Sequence, residues 1–376
     1  MNNPTIVISG TGLFTPSELI TNEELVESFN KYAERFNSSH HDQIGRGDLE
    51  AIPLSSVEFI EKASGITKRY VIDKRGILDP EVMAPQIAER TNDQQSLQCE
   101  ISVAAAQQAL EGANRQGGEI DAVIVACSNM QRPYPAMAIE VQEAIGAQGF
   151  AYDMNVACSS ATFGMQAAYN AIISGSASRV LVVNPEICSA HLDWEDRDCH
   201  FIFGDVCTAI ILERESEALS DHRWEILGTK LSTQYSNNIR NNFGFLNRCD
   251  PAGIGKPDKL FKQNGRKVFK EVCPMVAQLI TDHLGELNIK TSDLSRMWLH
   301  QANLSMNRLI SKKVLGKEPT EQEAPVILNH YANTSSAGSI IAFHLYNADL
   351  KNGDLGIICS FGAGYSIGSI IIQKQM

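Results

Sequence analysis

The amino-acid sequence predicts a layered α/β fold that is built from two copies of one unit. Short apolar runs rich in β-branched residues alternate with alanine-rich stretches of helical spacing along nearly the whole chain. Apolar runs of this length are typical of strands that are buried on both faces, and their alternation with helices is typical of layered α/β domains. Three short segments also recur in the same order in the two halves, which indicates a duplication.

The elements of each half follow one another at short intervals. In the first half, helical spacing predicts helices at residues 97–112, 136–145 and 159–174. The strands of this half are predicted at residues 5–10, 121–126, 151–156, 179–184 and 209–212. The second half repeats the pattern, with helices predicted at residues 267–287, 303–314 and 335–348 and strands at residues 296–299, 356–360 and 366–372.

The internal repeat predicts the domain boundary. The segments that match are 120–130 with 294–304, 157–161 with 332–336, and the Phe-Gly pair at 203–204 with that at 361–362. These matches divide the chain near residue 215 into an N-terminal half of residues 1–215 and a C-terminal half of residues 216–376. Two segments have no counterpart, and we interpret residues 26–56 and 221–263 as insertions.

Composition and charge exclude several classes of protein. The 376 residues are 43% hydrophobic and 20% charged, which is an ordinary globular balance and excludes a disordered chain or a fibre. The net charge of −12 argues against a broad nucleic-acid-binding surface. We expect a cytoplasmic protein without membrane insertion, because no signal peptide is visible and no apolar run approaches about 20 residues. Nine cysteines without a Cys-x-x-Cys pair are expected to be mostly buried, small hydrophobic residues in a reducing compartment.

Cys158 is the cysteine that this interpretation does not cover. It stands between a predicted strand and the helix predicted from residue 159, with small neighbours on both sides. The positive end of a helix lowers the pKa of a thiol, and small neighbours leave room for a substrate carbonyl. We therefore interpret Cys158 as a candidate nucleophile, with an inert cysteine in a tight turn as the alternative.

Polar residues of the second half are its candidate partners. His300 follows a predicted strand, and the carboxyl ends of buried strands face the crevice where ligands bind in α/β sheets. Asn333 aligns with Cys158 in the repeat, so a pseudo-two-fold axis would bring the two face to face. The turn Phe361-Gly-Ala-Gly364 offers an exposed N–H as an oxyanion donor, and Phe203-Gly204-Asp205 is its counterpart. Singly, a satisfied surface histidine, an asparagine helix cap and a glycine turn would each explain these residues.

Together these motifs resemble the β-ketoacyl-acyl-carrier-protein synthase III family of thiolase-fold condensing enzymes. The motifs that carry the resemblance are Ser64-Gly-Ile-Thr-Lys-Arg69, Ala157-Cys-Ser159, His300-Gln-Ala-Asn303, Ala332-Asn-Thr-Ser335 and Phe361-Gly-Ala-Gly364. The resemblance implies a duplicated α/β/α/β/α fold with mixed five-stranded sheets. The insertions and residues 237–246 most resemble the β-ketodecanoyl synthases, which start from a medium-chain acyl-CoA.

The resemblance implies a decarboxylative condensation in fatty acid biosynthesis. Cys158 would attack an acyl-CoA primer near octanoyl and hold the chain as a thioester, with the backbone N–H groups of Cys158 and Ala363 as oxyanion donors. His300 and Asn333 would donate to the thioester oxygen of malonyl-acyl carrier protein (malonyl-ACP), so that loss of CO₂ leaves a stabilised enolate. Neither a metal ion nor an organic cofactor is expected.

The resemblance also implies residues for substrates and partners. Phe361 and Phe203 correspond to residues near the entrance of the active site, and Tyr134 to an aromatic residue that the second subunit of a homodimer contributes to the acyl pocket. Arg197 corresponds to an arginine that packs on the adenine of CoA, and its usual tryptophan partner is Phe59 here. An arginine of the carrier-protein docking face is replaced by serine, and the basic residues that match or neighbour this face are Lys270, Arg308 and Lys312.

Several alternatives stay open at this point. Acetyl-CoA-primed initiation, head-to-head condensation of two acyl-CoA molecules, and an alkylquinolone- or polyketide-type synthase would all retain Cys158 and His300. The sequence His300-Gln-Ala differs from the His-Pro-Gly of chalcone-type enzymes, and Cys359 lies before the glycine turn, which fits a thiolase poorly. A cysteine hydrolase would use His300 as its base. A non-catalytic subunit is disfavoured because Cys158, His300 and Asn333 are all present.

Overall fold

A computed structural model describes residues 4–242 and 244–375 and contains the predicted alternation of strands and helices. Phe243, within the stretch 237–246 that entered the resemblance, lies outside the described residues. The strands are β1 (Ile6–Phe14), β2 (Glu18–Thr21), β3 (Lys68–Val71), β4 (Ala122–Ala126), β5 (Phe150–Met154), β6 (Arg179–Ile187), β7 (Asp205–Arg214), β8 (Arg223–Thr233), β9 (Ile239–Arg240), β10 (Lys262–Gln263), β11 (Leu294–Leu299), β12 (Leu355–Gly362) and β13 (Ser366–Gln375). The helices are α1 (Asn22–Ser39), α2 (His41–Gly45), α3 (Val57–Ser64), α4 (Leu97–Ala113), α5 (Met137–Ile145), α6 (Ser160–Ile173), α7 (Gly265–Glu286), α8 (Leu304–Leu315), α9 (Leu328–Tyr331) and α10 (Gly338–Leu345).

Among the described residues, nine strands form one continuous sheet in the order β11-β12-β13-β8-β1-β7-β6-β4-β5. In the first half, β6 runs parallel to β4 and antiparallel to β7, and in the second half β12 runs parallel to β11 and antiparallel to β13. The duplication is therefore visible in the strand pairing. The two groups join through two residue pairs between β1 and β8, Val7 with Glu225 and Ile8 with Trp224.

The described part of the second half, residues 216–242 and 244–375, has four strands in the sheet, where five were expected. Beside the outer edge of β11, the N–H of Met297 donates to the carbonyl of Glu323 at 2.8 Å. The chain around Glu323 therefore follows the edge of the sheet without forming a ladder, so the fifth strand is reduced to one hydrogen bond.

Helices divide the molecule into the expected five layers. The helices α6 and α10 lie in the middle, where their small and apolar residues pack against the inner faces of both strand groups. The pair α4 and α5 covers the outer face of the first group, and the pair α7 and α8 covers that of the second. Strands covered on both faces explain the continuous apolar runs, since all five residues of β4 are buried.

The segment expected to be the second insertion contains a central strand. The residues of β8 pair with β13 and β1, so the strand is the counterpart of β1 and the two halves meet between Arg214 and Arg223. The expectation of an insertion over residues 221–263 is therefore wrong for the residues that form β8. Most β8 residues are only half-buried, and polar ones such as Lys230 interrupt the apolar pattern. The inserted segment is residues 234–264.

The first insertion, residues 26–56, forms a folded arm. The helix α1 starts just before it and packs Phe29 against the ring of His200 at 4.4 Å. The chain then runs back along α1, and the side chains of Asn30 and Asn37 in α1 each form two hydrogen bonds with the backbone of this returning segment. Within the described residues, no helix has both the length and the apolarity that crossing a bilayer requires.

Candidate active site

Two short turns meet at the centre of the fold, each at the N-terminus of a middle-layer helix. Residues 157–159 lead into α6, residues 335–337 lead into α10, and the two turns pack against each other. The first residue of each turn is left-handed, with φ of 46° at Ala157 and 48° at Ser335. This conformation is strained for residues with a Cβ atom and persists where the surrounding structure enforces it.

The two turns have the same construction. The Oδ1 of Asn155 accepts the N–H two residues later at 2.8 Å, and the Oδ1 of Asn333 does the same at 2.9 Å. The backbone therefore aligns Asn155 with Asn333 and Cys158 with Ser336. The sequence alignment that paired Cys158 with Asn333 is wrong by three residues, because it matched small residues and could not detect the turn geometry.

The sulfur of Cys158 is surrounded by hydrogen-bond donors. The Oγ of Ser335 lies 3.5 Å from the sulfur, and the backbone N–H groups of Ala363 and of Cys158 itself also donate toward it. Gly362 keeps this approach open, since a Cβ atom there would lie 2.5 Å from the Cβ of Cys158 and 3.0 Å from its sulfur. The structure thus brings Cys158 together with both backbone groups that were expected as oxyanion donors.

Burial controls the protonation of Cys158. Desolvation raises the pKa of its thiol to about 11, the Ser335 hydroxyl opposes this, and the buried Glu186 carboxylate adds to it. The expectation of a thiol pKa lowered by the helix N-terminus is therefore wrong for the free protein. Desolvation outweighs the hydrogen-bond donors that face the sulfur, so the thiol is neutral near pH 7.

His300 lies directly after β11 and is 2% exposed. Its ring packs edge-on against Phe361, with 5.2 Å between the centroids. Burial lowers its pKa to about 4, opposed by a backbone hydrogen bond with Ser335, so the imidazole is neutral near pH 7. Its Nδ1 is buried without a partner among the described residues, which agrees with a neutral ring whose single N–H is on the other nitrogen.

Asn333 joins the site through Ser335. Its Oδ1 accepts the N–H of Ser335, which leaves its Nδ2 to donate elsewhere. Its backbone is anchored beside Phe203, since its N–H donates to Ile202 at 2.9 Å and its carbonyl accepts from Gly204 at 3.2 Å. The segment that precedes β7 in the first half therefore positions an amide of the second half.

Ser335 is the residue that connects the site, and the sequence analysis did not select it. It contacts the sulfur of Cys158, the ring of His300 and the side chain of Asn333. In the sequence it is one serine in a run of small polar residues. Its left-handed backbone and its contact with a residue 177 positions away exist only in the folded chain.

Glu186, at the end of β6, is a second residue that the sequence analysis did not select. This 1%-exposed carboxylate accepts hydrogen bonds from the backbone and hydroxyl of Ser128, at 3.1 and 2.5 Å, and from the backbone of Ser336 at 3.2 Å. The hydroxyl of Ser336 also donates to it. Burial raises its pKa. Glu186 thus fixes the turn that leads into α10.

Of the three aromatic residues expected around the entrance and the acyl pocket, two are buried and one is exposed. Phe361 and Phe203 are 1% and 2% exposed, so they form walls beside His300 and Asn333 and not an open entrance. Phe203 packs edge-on against Phe261 of the second insertion, with 4.8 Å between the centroids. Tyr134, in contrast, is 82% exposed in the loop before α5.

Arg197 and Phe59 lie together as expected, but directly on each other. The guanidinium carbon of Arg197 is 3.7 Å from the ring centroid of Phe59, which is a cation–π contact. The Nε of Arg197 also donates to the carbonyl of Leu54 in the first insertion at 2.7 Å. A nucleobase between the two side chains would require them to separate.

The three basic residues expected at the docking face are all exposed. Lys270 lies on α7, Arg308 and Lys312 lie on α8, and the two helices pack against each other. Lys312 forms an ion pair with Glu318, so part of its charge is already paired.

The structure has a large cleft away from the site residues and a smaller cavity beside them. The larger, about 1410 Å³, is a cleft lined by Tyr134, Ile139 and His191 among others, and none of its described lining residues is Cys158, His300 or Asn333. The smaller, about 480 Å³, lies between the turn of Cys158 and the glycine turn and is lined by Ala157, Tyr235, Ala363 and Tyr365 among others. Residues 4–242 and 244–375 contain no group of three His, Cys, Asp or Glu that could hold a metal ion.

Comparisons with known proteins identify similar chains. The family model for 3-oxoacyl-(acyl-carrier-protein) synthase III matches residues 152–234, and the model for the C-terminal part of that family matches residues 284–374. A beta-ketodecanoyl-(acyl-carrier-protein) synthase from Pseudomonas aeruginosa is 60% identical over 93% of this chain and 100% of its own. The crystal structure of a 3-oxoacyl-(acyl-carrier-protein) synthase III from Aquifex aeolicus superimposes with a TM-score of 0.75 at 25% identity, over 98% of this chain and 99% of that one.

Alkylation of Cys158 by iodoacetamide tests the raised pKa. Because only the thiolate reacts and the thiol pKa is about 11, the rate should rise about tenfold per pH unit between pH 7 and 10. Replacing Ser335 by Ala removes a donor that stabilises the thiolate, so the pKa should rise further and the rate at fixed pH should fall by about tenfold. Mass spectrometry of the Cys158 peptide measures the rate. Ser339→Ala, whose hydroxyl bonds Ser360 instead, is the matched control, and a rate that levels off below pH 9 would contradict the assignment.

Proposed function

The chain belongs to the 3-oxoacyl-(acyl-carrier-protein) synthase III family of acyltransferases, and on that premise we propose that it condenses a medium-chain acyl-CoA with malonyl-ACP. The proposed primer is near octanoyl, and the product is the β-ketoacyl-ACP that is two carbons longer. The contact of Cys158 with the Ser335 segment, which also carries Asn333 and touches His300, is the observation that supports condensation. The likeness to the beta-ketodecanoyl relative supports the medium-chain primer.

In the proposed first step, the sulfur of Cys158 attacks the thioester carbonyl of the acyl-CoA. The N–H groups of Cys158 and Ala363, which already face the sulfur, would stabilise the oxyanion of the tetrahedral intermediate. The thiol must lose its proton as it attacks, because it is neutral in the free protein. The departing CoA leaves as a thiol, so the proton balance closes within this step.

In the proposed second step, His300 and Asn333 bind the thioester oxygen of malonyl-ACP. The one N–H of the neutral His300 imidazole, which faces the backbone of Ser335 in the free protein, would turn to this oxygen, and the Nδ2 of Asn333 would donate to it as well. Loss of CO₂ then leaves an enolate whose charge the two donors stabilise. The enolate carbon attacks the acyl group on Cys158, the new C–C bond forms and the C–S bond breaks. The sulfur leaves as a thiolate, which takes up a proton from solvent to restore the neutral thiol.

We propose that the two insertions cover the path by which a long acyl chain reaches the site. The second insertion contacts the glycine turn through Gln234 and Ser236 and covers Phe203 through Phe261. The first insertion holds Arg197 through Leu54.

We propose that Arg197 and Phe59 part to bind the adenine of CoA, and that Lys270, Arg308 and Lys312 bind the carrier protein. The proposed location is the cytoplasm, which the nine free cysteines support.

Substitutions of His300 and Asn333 should separate the two half-reactions. His300→Ala and Asn333→Ala should lower malonyl-ACP decarboxylation by roughly 10²–10³-fold, because each removes an enolate donor, while acylation of Cys158 falls by less than about threefold. Intact-protein mass spectrometry measures acylation, and release of CO₂ from malonyl-ACP measures decarboxylation.

Asn333→Asp is the sharper variant of this experiment. It keeps an oxygen to accept the Ser335 N–H but replaces the donor by a second, negatively charged oxygen, so it should lose decarboxylation at least as completely as Asn333→Ala does. If the variants cannot be acylated, the assignment is wrong, and a hydrolase with a Cys158–His300 pair gains support.

The primer length is tested by kcat/KM for octanoyl-CoA and acetyl-CoA. Each buried methylene contributes up to about 0.8 kcal/mol, so a fitting pocket should favour octanoyl-CoA by at least about tenfold. A preference of the same size for acetyl-CoA would contradict the medium-chain primer and leave the condensation standing. Free octanoate released without malonyl-ACP would instead indicate a hydrolase.

We further propose that the enzyme is a homodimer joined along β5. This strand is the outer edge of the sheet, and its Phe150 and Tyr152 are exposed and stacked at 6.4 Å. Pairing with a second copy would cover this edge, and it would bring Tyr134 toward the neighbouring site.

Light scattering at micromolar concentration tests the dimer. Tyr152→Asp places a charge in the proposed interface and should shift the mass from dimer toward monomer with loss of activity. Tyr346→Asp, at a tyrosine of similar exposure after α10, is the matched control. A wild-type monomer with full activity would refute the dimer.

A further inference from the structure

The glycine turn between β12 and β13 is held by a polar cluster outside the site. Tyr365, at the end of this turn, is 2% exposed, and its hydroxyl donates to the Oε2 of Glu271 on α7 at 2.7 Å. The Nδ2 of Asn238 donates to the same carboxylate oxygen at 2.9 Å and lies 2.7 Å from the Tyr365 hydroxyl. Three side chains thus form a closed triangle of hydrogen bonds.

The backbone of the second insertion holds the same turn. The N–H of Gln234 donates to the carbonyl of Tyr365 at 2.8 Å, and that of Ser236 donates to the carbonyl of Gly364 at 2.6 Å. Asn238 is itself fixed at the start of α7, because its carbonyl accepts from the N–H of Asn264 at 2.8 Å. Glu271 therefore closes a connection from α7 to the turn that carries the N–H of Ala363.

We propose that Glu271 is a positioning residue that, through Tyr365 and Asn238, holds the N–H of Ala363 in place for acyl transfer. This inference rests on the proposed function, in which Ala363 is an oxyanion donor. Such a donor acts only when its position is fixed to within about half an ångström before the charge develops. Ala363 lies two residues before Tyr365, and hydrogen bonds to a carboxylate are shorter and stronger than those between neutral groups.

The cluster should influence one half-reaction only. The N–H of Ala363 serves the tetrahedral intermediate on Cys158, whereas decarboxylation uses His300 and Asn333 on another segment. Displacing the glycine turn should therefore slow acylation and spare decarboxylation. A purely structural role would affect both together, because His300 packs on Phe361 in the same strand that leads to the turn.

The experiment compares Tyr365→Phe, Glu271→Ala, Glu271→Gln and the double variant Tyr365→Phe/Glu271→Ala. Tyr365→Phe and Glu271→Ala should each slow the acylation of Cys158 by octanoyl-CoA about tenfold at saturation, with decarboxylation of malonyl-ACP within about twofold of wild type. The double variant should be no slower than either single one, because both break the same connection. Glu271→Gln keeps an oxygen that accepts both hydrogen bonds and should recover most of the rate.

Glu286→Gln is the matched control, since this exposed glutamate of α7 pairs with Lys230 and does not contact the turn. Equal losses in both half-reactions, additive losses in the double variant, or wild-type acylation in Tyr365→Phe would each overturn the proposal. If wild-type protein neither acylates Cys158 nor decarboxylates malonyl-ACP, the proposed function fails and the positioning role falls with it. An active wild type with unaffected variants refutes the positioning role alone.

Discussion

The site depends on the packing of two helix-initiating turns against each other at the centre of the molecule. Each turn starts with a left-handed residue, Ala157 or Ser335, whose N–H donates to the side-chain oxygen of an asparagine two residues earlier. Neither conformation is favourable in isolation, so the surrounding layers must hold both. The duplicated fold does this by stacking α6 and α10 between two strand groups, which brings the turns of both halves to one point.

The pseudo-symmetry of these turns is broken where the chemistry requires different groups. The position of Cys158 in the first half is occupied by Ser336 in the second, and that serine binds Glu186 instead of facing a substrate. The position of Asn333 is occupied by Asn155, which is exposed and donates to Ser128. The first half therefore contributes the sulfur of Cys158 to the site, and the second half contributes the side-chain amide of Asn333.

Desolvation keeps the two titratable groups of the site uncharged in the free protein. Cys158 and His300 are both neutral near pH 7, because removal from water disfavours the thiolate and the imidazolium alike. A neutral histidine donates through one nitrogen without repelling or attracting a carboxylate strongly, which suits a substrate that must lose CO₂.

Local patterns and short motifs were sufficient to predict the order of most strands and helices, the junctions that carry Cys158, His300 and Asn333, and the family. The register of the repeat, the place of β8 in the sheet, the pKa of Cys158 and the roles of Ser335 and Glu186 had no such local signal and follow from the folded chain. The register depends on backbone dihedrals at Ala157 and Ser335, and small residues such as these give no pattern from which to read them. The pKa of Cys158 depends on distant segments that exclude water from its sulfur. Ala363, whose N–H faces this sulfur, is about two hundred residues away in the sequence. Hydrophobic periodicity carries no information on such contacts, since it records which face of an element is buried and not which distant residue covers it.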